Sequence, residues 1–185
     1  MSYINQVNEW EAKKAMRASL ASALQATNPH FVPGQTCAIA AKNIRIELKR
    51  AFPGIKFSVK SKSYSGGCSI TVSWIDGPTS TQVGEITGKY KAGSFDGMTD
   101  CYNYEYSLWK DAFGDANYIF TDREYSDDFI TEIIRNIAQE SHDGELPTVN
   151  DFRKGKLLSI CPSRHCDTWQ DLIDRIGVQI SKVAK

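Results

Sequence analysis

Long apolar segments are missing from this chain of 185 residues. None approaches the roughly 20 residues that a membrane-spanning helix requires, and the first residues lack the apolar run of a secretory signal. The five cysteines are odd in number and irregular in spacing, which fits reduced thiols better than a disulfide framework. We therefore expect a cytoplasmic protein that does not associate with a membrane.

Catalytic and cofactor motifs are missing as well. Gly66 and Gly67 lack the spacing and the following helix start of a phosphate-binding loop, so a hairpin turn is the favoured interpretation. Asp76, Asp96 and Asp100 lie near predicted loop ends, where carboxylates can hold a divalent cation. Asp-Gly is, however, an ordinary turn dipeptide, and this second interpretation is favoured. The sequence predicts no enzymatic activity and no cofactor.

The segment CPSRHC holds the strongest candidate for metal or thiol chemistry. Cys161, His165 and Cys166 are zinc-ligand types, and Cys101 would supply a fourth ligand. Adjacent His and Cys side chains do not readily point at one ion and no second pair exists, so free thiols in a loop are favoured. With Asp167 as an orienting carboxylate, the same residues give the alternative of a small metal-dependent or thiol-dependent enzyme.

Charge is present in quantity and is unevenly distributed. The 22 basic and 22 acidic residues cancel over the whole chain. Residues 38–64 nevertheless carry seven bases against one acid, and residues 121–152 carry nine acids against two bases. Such a bipolar chain can steer a polyanion to one surface and a basic partner to another, or its two halves can pair with each other.

Two sets of candidate binding residues follow from this distribution. The basic set, for nucleic acid or another partner, consists of Lys42, Arg45, Lys49, Arg50, Lys56, Lys60, Lys62 and Tyr64, with its strand lysines expected on one face and Tyr64 placed to stack on a base. The acidic set, for a basic groove on a protein, consists of Asp122, Glu124, Asp127, Asp128 and Glu132. The competing interpretation of both sets is that these charged side chains are simply solvated at the protein surface and bind no partner.

Hydrophobic periodicity predicts the architecture. A helix from Cys37 to Phe52 ends at Pro53, and two alternating segments around Gly66 predict a hairpin. A short helix, a third strand over 101–107 and a possible strand over 117–121 follow. The order predicts an α+β fold, with an antiparallel sheet of three to four strands, helices packed on one face and additional C-terminal helices.

The same reading divides the chain into three parts. Residues 1–35 are predicted to form an N-terminal helix and a linker, and residues 36–121 an α+β core domain. Residues 122–185 are predicted to form a C-terminal helical extension packed on the core, with Ser126 capping one helix and a last helix beginning near Asp167. No pattern in the sequence predicts the oligomeric state.

Three stretches carry a resemblance to a known family: AAKNIRIELKRAFPGIKFSV, SGGCSITVSWIDGPT and FDGMTDCYNY. Over about residues 40–106 the chain resembles the large polyvalent-protein-associated domain family of bacteriophages and conjugative plasmids. The resemblance implies an α+β domain in a protein that helps a mobile element to establish itself in its host. It implies no known reaction and no catalytic residues.

These observations together favour a binding function. We expect a non-catalytic accessory protein of a phage, prophage or plasmid that binds and inhibits a host protein. The favoured target is a component of a defence system, such as a nuclease complex, as for an anti-CRISPR or anti-restriction protein. The alternative is a protein that binds DNA or RNA through the basic helix and hairpin, which the zero net charge of the chain disfavours.

Overall fold

The computed structural model describes residues 3–141, 146–161 and 167–181. It has an α+β architecture, which confirms the predicted fold class. In chain order its elements are α1 (Tyr3–Thr27), α2 (Cys37–Ala51), β1 (Ser58–Tyr64), β2 (Gly67–Ile75), α3 (Ser80–Thr87), β3 (Gly93–Asp96), β4 (Cys101–Tyr104), α4 (Leu108–Phe113), β5 (Tyr118–Glu124), α5 (Asp127–Ser141), α6 (Val149–Arg153) and α7 (Trp169–Gln179), with short 3-10 helices at Gly88–Tyr90 and Lys156–Ser159. Among the described residues, no helix combines the length and apolar character that crossing a membrane requires.

The described residues form two compact units. The first contains the residues up to Ser73 together with Val83–Asp122, and the second contains Trp74–Gln82 together with the residues from Arg123 onward. The first unit therefore holds α2, β1, most of β2 and the β3–β4 pair. The second is mainly helical.

Helix α2 begins and ends where its sequence predicts. The Thr36 side chain caps its first turn by accepting a hydrogen bond from the Ile39 amide at 3.3 Å. Its apolar face is buried, with Ile44 and Leu48 fully inaccessible. The backbone N–H of Phe52 closes the last turn, directly before Pro53.

Strands β1 and β2 form the predicted antiparallel hairpin. Their register runs from Ser58 opposite Ser73 to Tyr64 opposite Gly67. The turn between them places Gly66 at a φ of +89°, where glycine is strongly favoured. The lower face of the hairpin, defined by its buried residues, carries Val59, Ile70, Val72 and Trp74.

The sheet differs from the prediction in its third strand. It has three strands in the order β1-β2-β5 and is mixed, so β5 occupies the place expected for residues 101–107. Strand β4 instead pairs with β3 in a separate antiparallel ribbon. Gly93 permits this pairing, because a Cβ atom there would overlap the carbonyl oxygen of Asn103. Strand β4 ends at Tyr104, so Tyr106, which was expected within a strand over 101–107, lies outside it.

In the second unit, α5 and α7 bury an apolar cluster. Its members are Phe129, Ile130, Ile133, Ile134, Ile137, Leu157, Trp169 and Ile173. Full burial of such side chains stabilises a fold by about 1.5–3 kcal/mol each. Arg123 adds a polar anchor, because its guanidinium donates hydrogen bonds to the carbonyl oxygens of Asp76, Gly77, Gly177 and Ile180 at 2.6–3.1 Å.

Candidate binding surfaces

The seven predicted basic residues are all exposed and all belong to the first unit. We call them the basic surface: Lys42, Arg45, Lys49, Arg50, Lys56, Lys60 and Lys62. Four lie on α2, two lie on β1, and Lys56 lies in the segment before the strand. The sequence prediction placed Lys56 on the strand itself. The ladder begins only at Ser58, because a turn from Phe52 to Ile55 precedes it.

The basic surface continues around the edge of the sheet. Val59 points to the lower face, so Lys60 and Lys62 point to the opposite face, which we call the open face. Helix α2 contacts β1, and the guanidinium of Arg45 donates to the Val59 carbonyl oxygen at 2.6 Å. Arg45 thus links the helix cations to the strand cations along the edge strand.

The charge of the basic surface is not neutralised within the described part of the chain. None of its seven cations lies within 4.0 Å of a carboxylate among the described residues. Glu47, the one acid among residues 38–64, forms an ion pair with Lys89 and accepts a hydrogen bond from the Tyr90 hydroxyl at 3.1 Å. Burial, together with the neighbouring Glu47, raises the pKa of Tyr90. Glu47 is therefore engaged by residues that do not belong to the basic surface.

Tyr64 lies on the open face beside aromatic residues that do not belong to the set predicted from the sequence. Tyr118 and Phe120 lie on β5, with nearly parallel rings 6.3 Å apart. Tyr102 lies 4.8 Å from Tyr104 and 5.7 Å from Tyr118, measured between ring centroids. Tyr118 and Phe120 have the two-residue spacing of a strand face, which is the signal that identifies them.

The predicted acidic residues are exposed, but they belong to different units. Asp122 lies in the first unit, whereas Glu124, Asp127, Asp128 and Glu132 lie in the second. Asp127 and Asp128 occupy the first turn of α5, where the helix dipole favours carboxylates. Asp127 also accepts a hydrogen bond from Arg153 at 3.0 Å. Within the second unit, the start of α5 carries the acidic surface, defined as Asp127, Asp128 and Glu132.

The cysteines divide into exposed and buried thiols. Cys101 and Cys161 are exposed, whereas Cys37 is buried beside Cys68. Burial and the neighbouring Cys68 raise the pKa of Cys37 to about 12, which keeps it a neutral thiol. His165 and Cys166, the other candidate ligands, lie outside the described residues. Asp167 is ion-paired with Arg175 at 2.8 Å.

The three candidate aspartates contribute to local structure. Asp76 accepts a hydrogen bond from the Ser126 amide at 2.9 Å, just before α5. Asp96 accepts from the Met98 amide and the Thr99 hydroxyl, both at 2.9 Å, and these bonds lower its pKa. Asp100 has a φ of +53° in the β3–β4 turn. Within 3–141, 146–161 and 167–181, no three His, Cys, Asp or Glu residues are arranged to hold a metal ion.

Comparison with known proteins identifies the part of the chain that contains the basic surface. Residues 35–126 match the family model Large polyvalent protein associated domain 29. This segment belongs to that family. The match confirms the resemblance seen in the sequence and extends it at both ends, to include β5. No curated protein and no solved structure matches the chain.

The polyvalent-protein-associated domain contains all of the basic surface and all of the open-face aromatic residues. Of the predicted acidic residues, only Asp122 and Glu124 lie within it, because the matched segment ends at residue 126 and the other three lie on α5, which begins at Asp127. Membership associates the protein with bacteriophages and plasmids. The basic surface of this chain thus lies within the matched segment, and the acidic surface lies in the segment that follows it.

Proposed function

We propose that this protein is a non-catalytic accessory protein of a mobile element that binds and inhibits a host component. The proposed target is a protein of a host defence system, as for an anti-CRISPR or anti-restriction protein. Membership of the polyvalent-protein-associated domain family supports the mobile-element setting. The acidic surface supports the binding mode, because exposed carboxylates complement the basic groove of a nuclease that acts on nucleic acid.

The acidic surface is the observation that carries this proposal. Asp127 and Asp128 are both exposed in the first turn of α5, and Glu132 follows Asp128 by one helical turn. Carboxylates at this spacing present negative charge from successive turns. A partner with a basic groove would displace Arg153 from Asp127 and pair with the acids itself.

The test is affinity capture from host lysate, with and without nuclease treatment, followed by an inhibition assay on the captured protein. Reversal of charge in Asp127→Lys with Asp128→Lys is expected to abolish capture. Glu11→Lys with Glu85→Lys is the control, because it makes the same change in net charge at exposed positions elsewhere. Asp127→Asn with Asp128→Asn is expected to weaken capture less. Equal capture by the two lysine variants contradicts a role for the acidic surface.

A second candidate function, nucleic-acid binding, rests on the basic surface. Its seven cations are exposed, have no carboxylate within 4.0 Å among the described residues, and lie in the family domain. Each phosphate that a Lys or Arg neutralises releases a counterion. The logarithm of the affinity therefore falls linearly with the logarithm of salt concentration, with a slope set by the number of contacts.

This candidate is tested by fluorescence anisotropy of labelled oligonucleotides across a salt series. Lys56→Glu, Lys60→Glu and Lys62→Glu together are expected to abolish binding, since they reverse three charges of the basic surface. Lys14→Glu, Lys91→Glu and Lys154→Glu make the same change at exposed lysines outside it. No anisotropy change for the wild type at low salt rejects nucleic-acid binding. Release of the captured host protein by nuclease, in turn, indicates a bridging nucleic acid.

A further inference from the structure

The open face of the sheet has three different rows of side chains. Lys60, Lys62 and Tyr64 line β1, and Lys60 and Lys62 lie opposite Thr71 and Ser69 on β2. The middle row on β2 thus consists of small polar side chains. On β5, at the other edge of the sheet, the open-face row begins with the half-buried Tyr118 and the exposed Phe120. A shallow polar floor therefore separates a row of cations from a row of aromatic rings.

Asn117 holds the aromatic residues of neighbouring elements together. Its carbonyl oxygen accepts a hydrogen bond from the Tyr102 hydroxyl at 2.6 Å, and its Nδ2 donates to the Tyr104 hydroxyl at 3.3 Å. Its Oδ1 accepts from the Cys68 amide at 2.9 Å. Strands β2 and β4 are thereby connected through one residue directly before β5.

Tyr64 and Asn117 both lie close to Gly67. A Cβ atom on Gly67 would be 2.9 Å from Oδ1 of Asn117 and 3.3 Å from Cε2 of Tyr64. Burial and the nearby Tyr118 raise the pKa of Tyr64. We call these neighbouring residues the aromatic platform: Tyr64, Tyr102, Tyr104, Tyr118 and Phe120.

Three rings of the aromatic platform are exposed to solvent. The exposed fraction is 71% for Tyr104, 55% for Phe120 and 44% for Tyr64. The hydroxyl of Tyr104 is engaged with Asn117, which restrains the side chain while leaving most of it accessible. Exposed aromatic rings beside cations are the features that proteins use to bind single-stranded nucleic acid, in which bases are free to stack.

We propose that the aromatic platform stacks the bases of a single-stranded polynucleotide whose phosphates are held by Lys60 and Lys62. This proposal rests on the nucleic-acid binding proposed above and specifies that the bound nucleic acid is single-stranded. Charge complementarity favours this occupant over a polypeptide, because the row beside the rings is cationic. Asp122 is the next residue after Phe120 in the open-face row of β5. Because its carboxylate repels phosphate, we expect the bound strand not to extend past Phe120 in this direction.

Base stacking and phosphate contacts are common to DNA and RNA. The experiment therefore uses a 15-nucleotide oligo-dT, a 15-nucleotide oligo-rU and a 15-base-pair duplex as labelled probes for the full chain. Either single strand is expected to bind at least ten-fold more tightly than the duplex. The comparison of oligo-dT with oligo-rU shows which nucleic acid is preferred, and preference for either supports the proposal.

Removal of single rings tests the platform. Tyr104→Ala and Phe120→Ala are each expected to lower the single-strand affinity about 5- to 100-fold. Tyr104→Phe and Phe120→Tyr keep a ring and are expected to restore most of it. Trp10→Ala removes an exposed ring of α1 outside the platform and serves as the control. The alanine variants are expected to leave the salt slope unchanged, whereas Lys60→Glu with Lys62→Glu reduces it.

The outcomes separate this proposal from the broader one. The protein could bind duplex and single strand with equal affinity, and this affinity could be unchanged in the alanine variants but lost in the lysine variants. That result would contradict base stacking on the aromatic platform and would support phosphate binding by the basic surface. If no probe binds, both the stacking proposal and the broader proposal of nucleic-acid binding are wrong. If no probe binds and Tyr104→Ala releases a captured host protein, the occupant is a polypeptide and the proposal is wrong.

Discussion

The side-chain amide of Asn43 donates a hydrogen bond to the carbonyl oxygen of Phe113 at 3.0 Å, although 70 positions separate the two residues. Asn43 is fully buried on α2. Its amide also donates to the Val32 carbonyl oxygen at 2.8 Å, and its Oδ1 accepts from the Val32 amide at 2.7 Å. One side chain thus satisfies backbone groups of two other segments.

We predict that Asn43→Leu strongly destabilises the protein. Leucine has a similar size but leaves three backbone groups without partners, and each such group costs about 1–3 kcal/mol when buried. The free energy of unfolding in urea is expected to fall by about 3 kcal/mol or more. Asn8→Leu, at an exposed position of α1, is expected to change it by less than about 0.5 kcal/mol. Equal effects of the two substitutions contradict the role of Asn43.

Arg123→Lys is predicted to destabilise the second unit, although it conserves the charge. Arginine presents five donors in a fixed plane, and Arg123 uses them on four carbonyl oxygens that a lysine cannot all reach. We expect a loss of about 2–4 kcal/mol by urea unfolding. Arg135→Lys is the matched control, because Arg135 is exposed on α5. A stability equal to that of the control rejects this anchor.

Gly93→Ala is predicted to disrupt the β3–β4 ribbon. The new Cβ atom would overlap the backbone of Asn103, which cannot move without breaking the pairing. A loss of about 1–3 kcal/mol is expected by thermal unfolding. Gly97→Ala lies in the connecting turn, where a Cβ atom meets open space, and it is expected to be nearly neutral. Hydrogen exchange of β4 amides distinguishes local disruption from general destabilisation.

The thiols are predicted to react in a fixed order. At pH 8, iodoacetamide is expected to modify the exposed Cys101 and Cys161 and to spare Cys37, as peptide mass spectrometry would show. Because the pKa of Cys37 is raised to about 12 from an ordinary value near 9, folding favours its protonated form. The stability from this group is complete below about pH 9 and is lost as the pH rises toward 12. Rapid modification of Cys37 at pH 8 without denaturant contradicts its burial.

The sequence predicts those elements whose local pattern agrees with their final packing. Alternation around Ile70 and Val72 specifies the hairpin, and the apolar stripe beginning at Phe129 specifies α5. The β3–β4 ribbon has no such pattern, because its strands have four residues each and Gly93 resembles a loop glycine. The pairing of β3 with β4 depends on contacts between the two strands, which the local pattern of apolar residues does not predict.

The candidate site was predictable to a similar degree. The cations of the basic surface are recognisable from composition, and all seven are exposed. The aromatic platform was not predictable, because it depends on which strand pairs with which. Assigning β5 to the sheet places Tyr118 and Phe120 on the open face, and Asn117 then connects them to Tyr102 and Tyr104.

The position of β1 at the edge of the sheet has a consequence for solubility. The strand order leaves one side of β1 without a strand partner in the described part of the chain, and such an edge can pair with another molecule. Lys60 and Lys62 keep like edges apart by mutual repulsion. Neutral substitutions at these two positions would remove that protection, so the protein would aggregate more readily as its concentration rises. The same two lysines would therefore keep the free protein monodisperse as well as contact a bound partner.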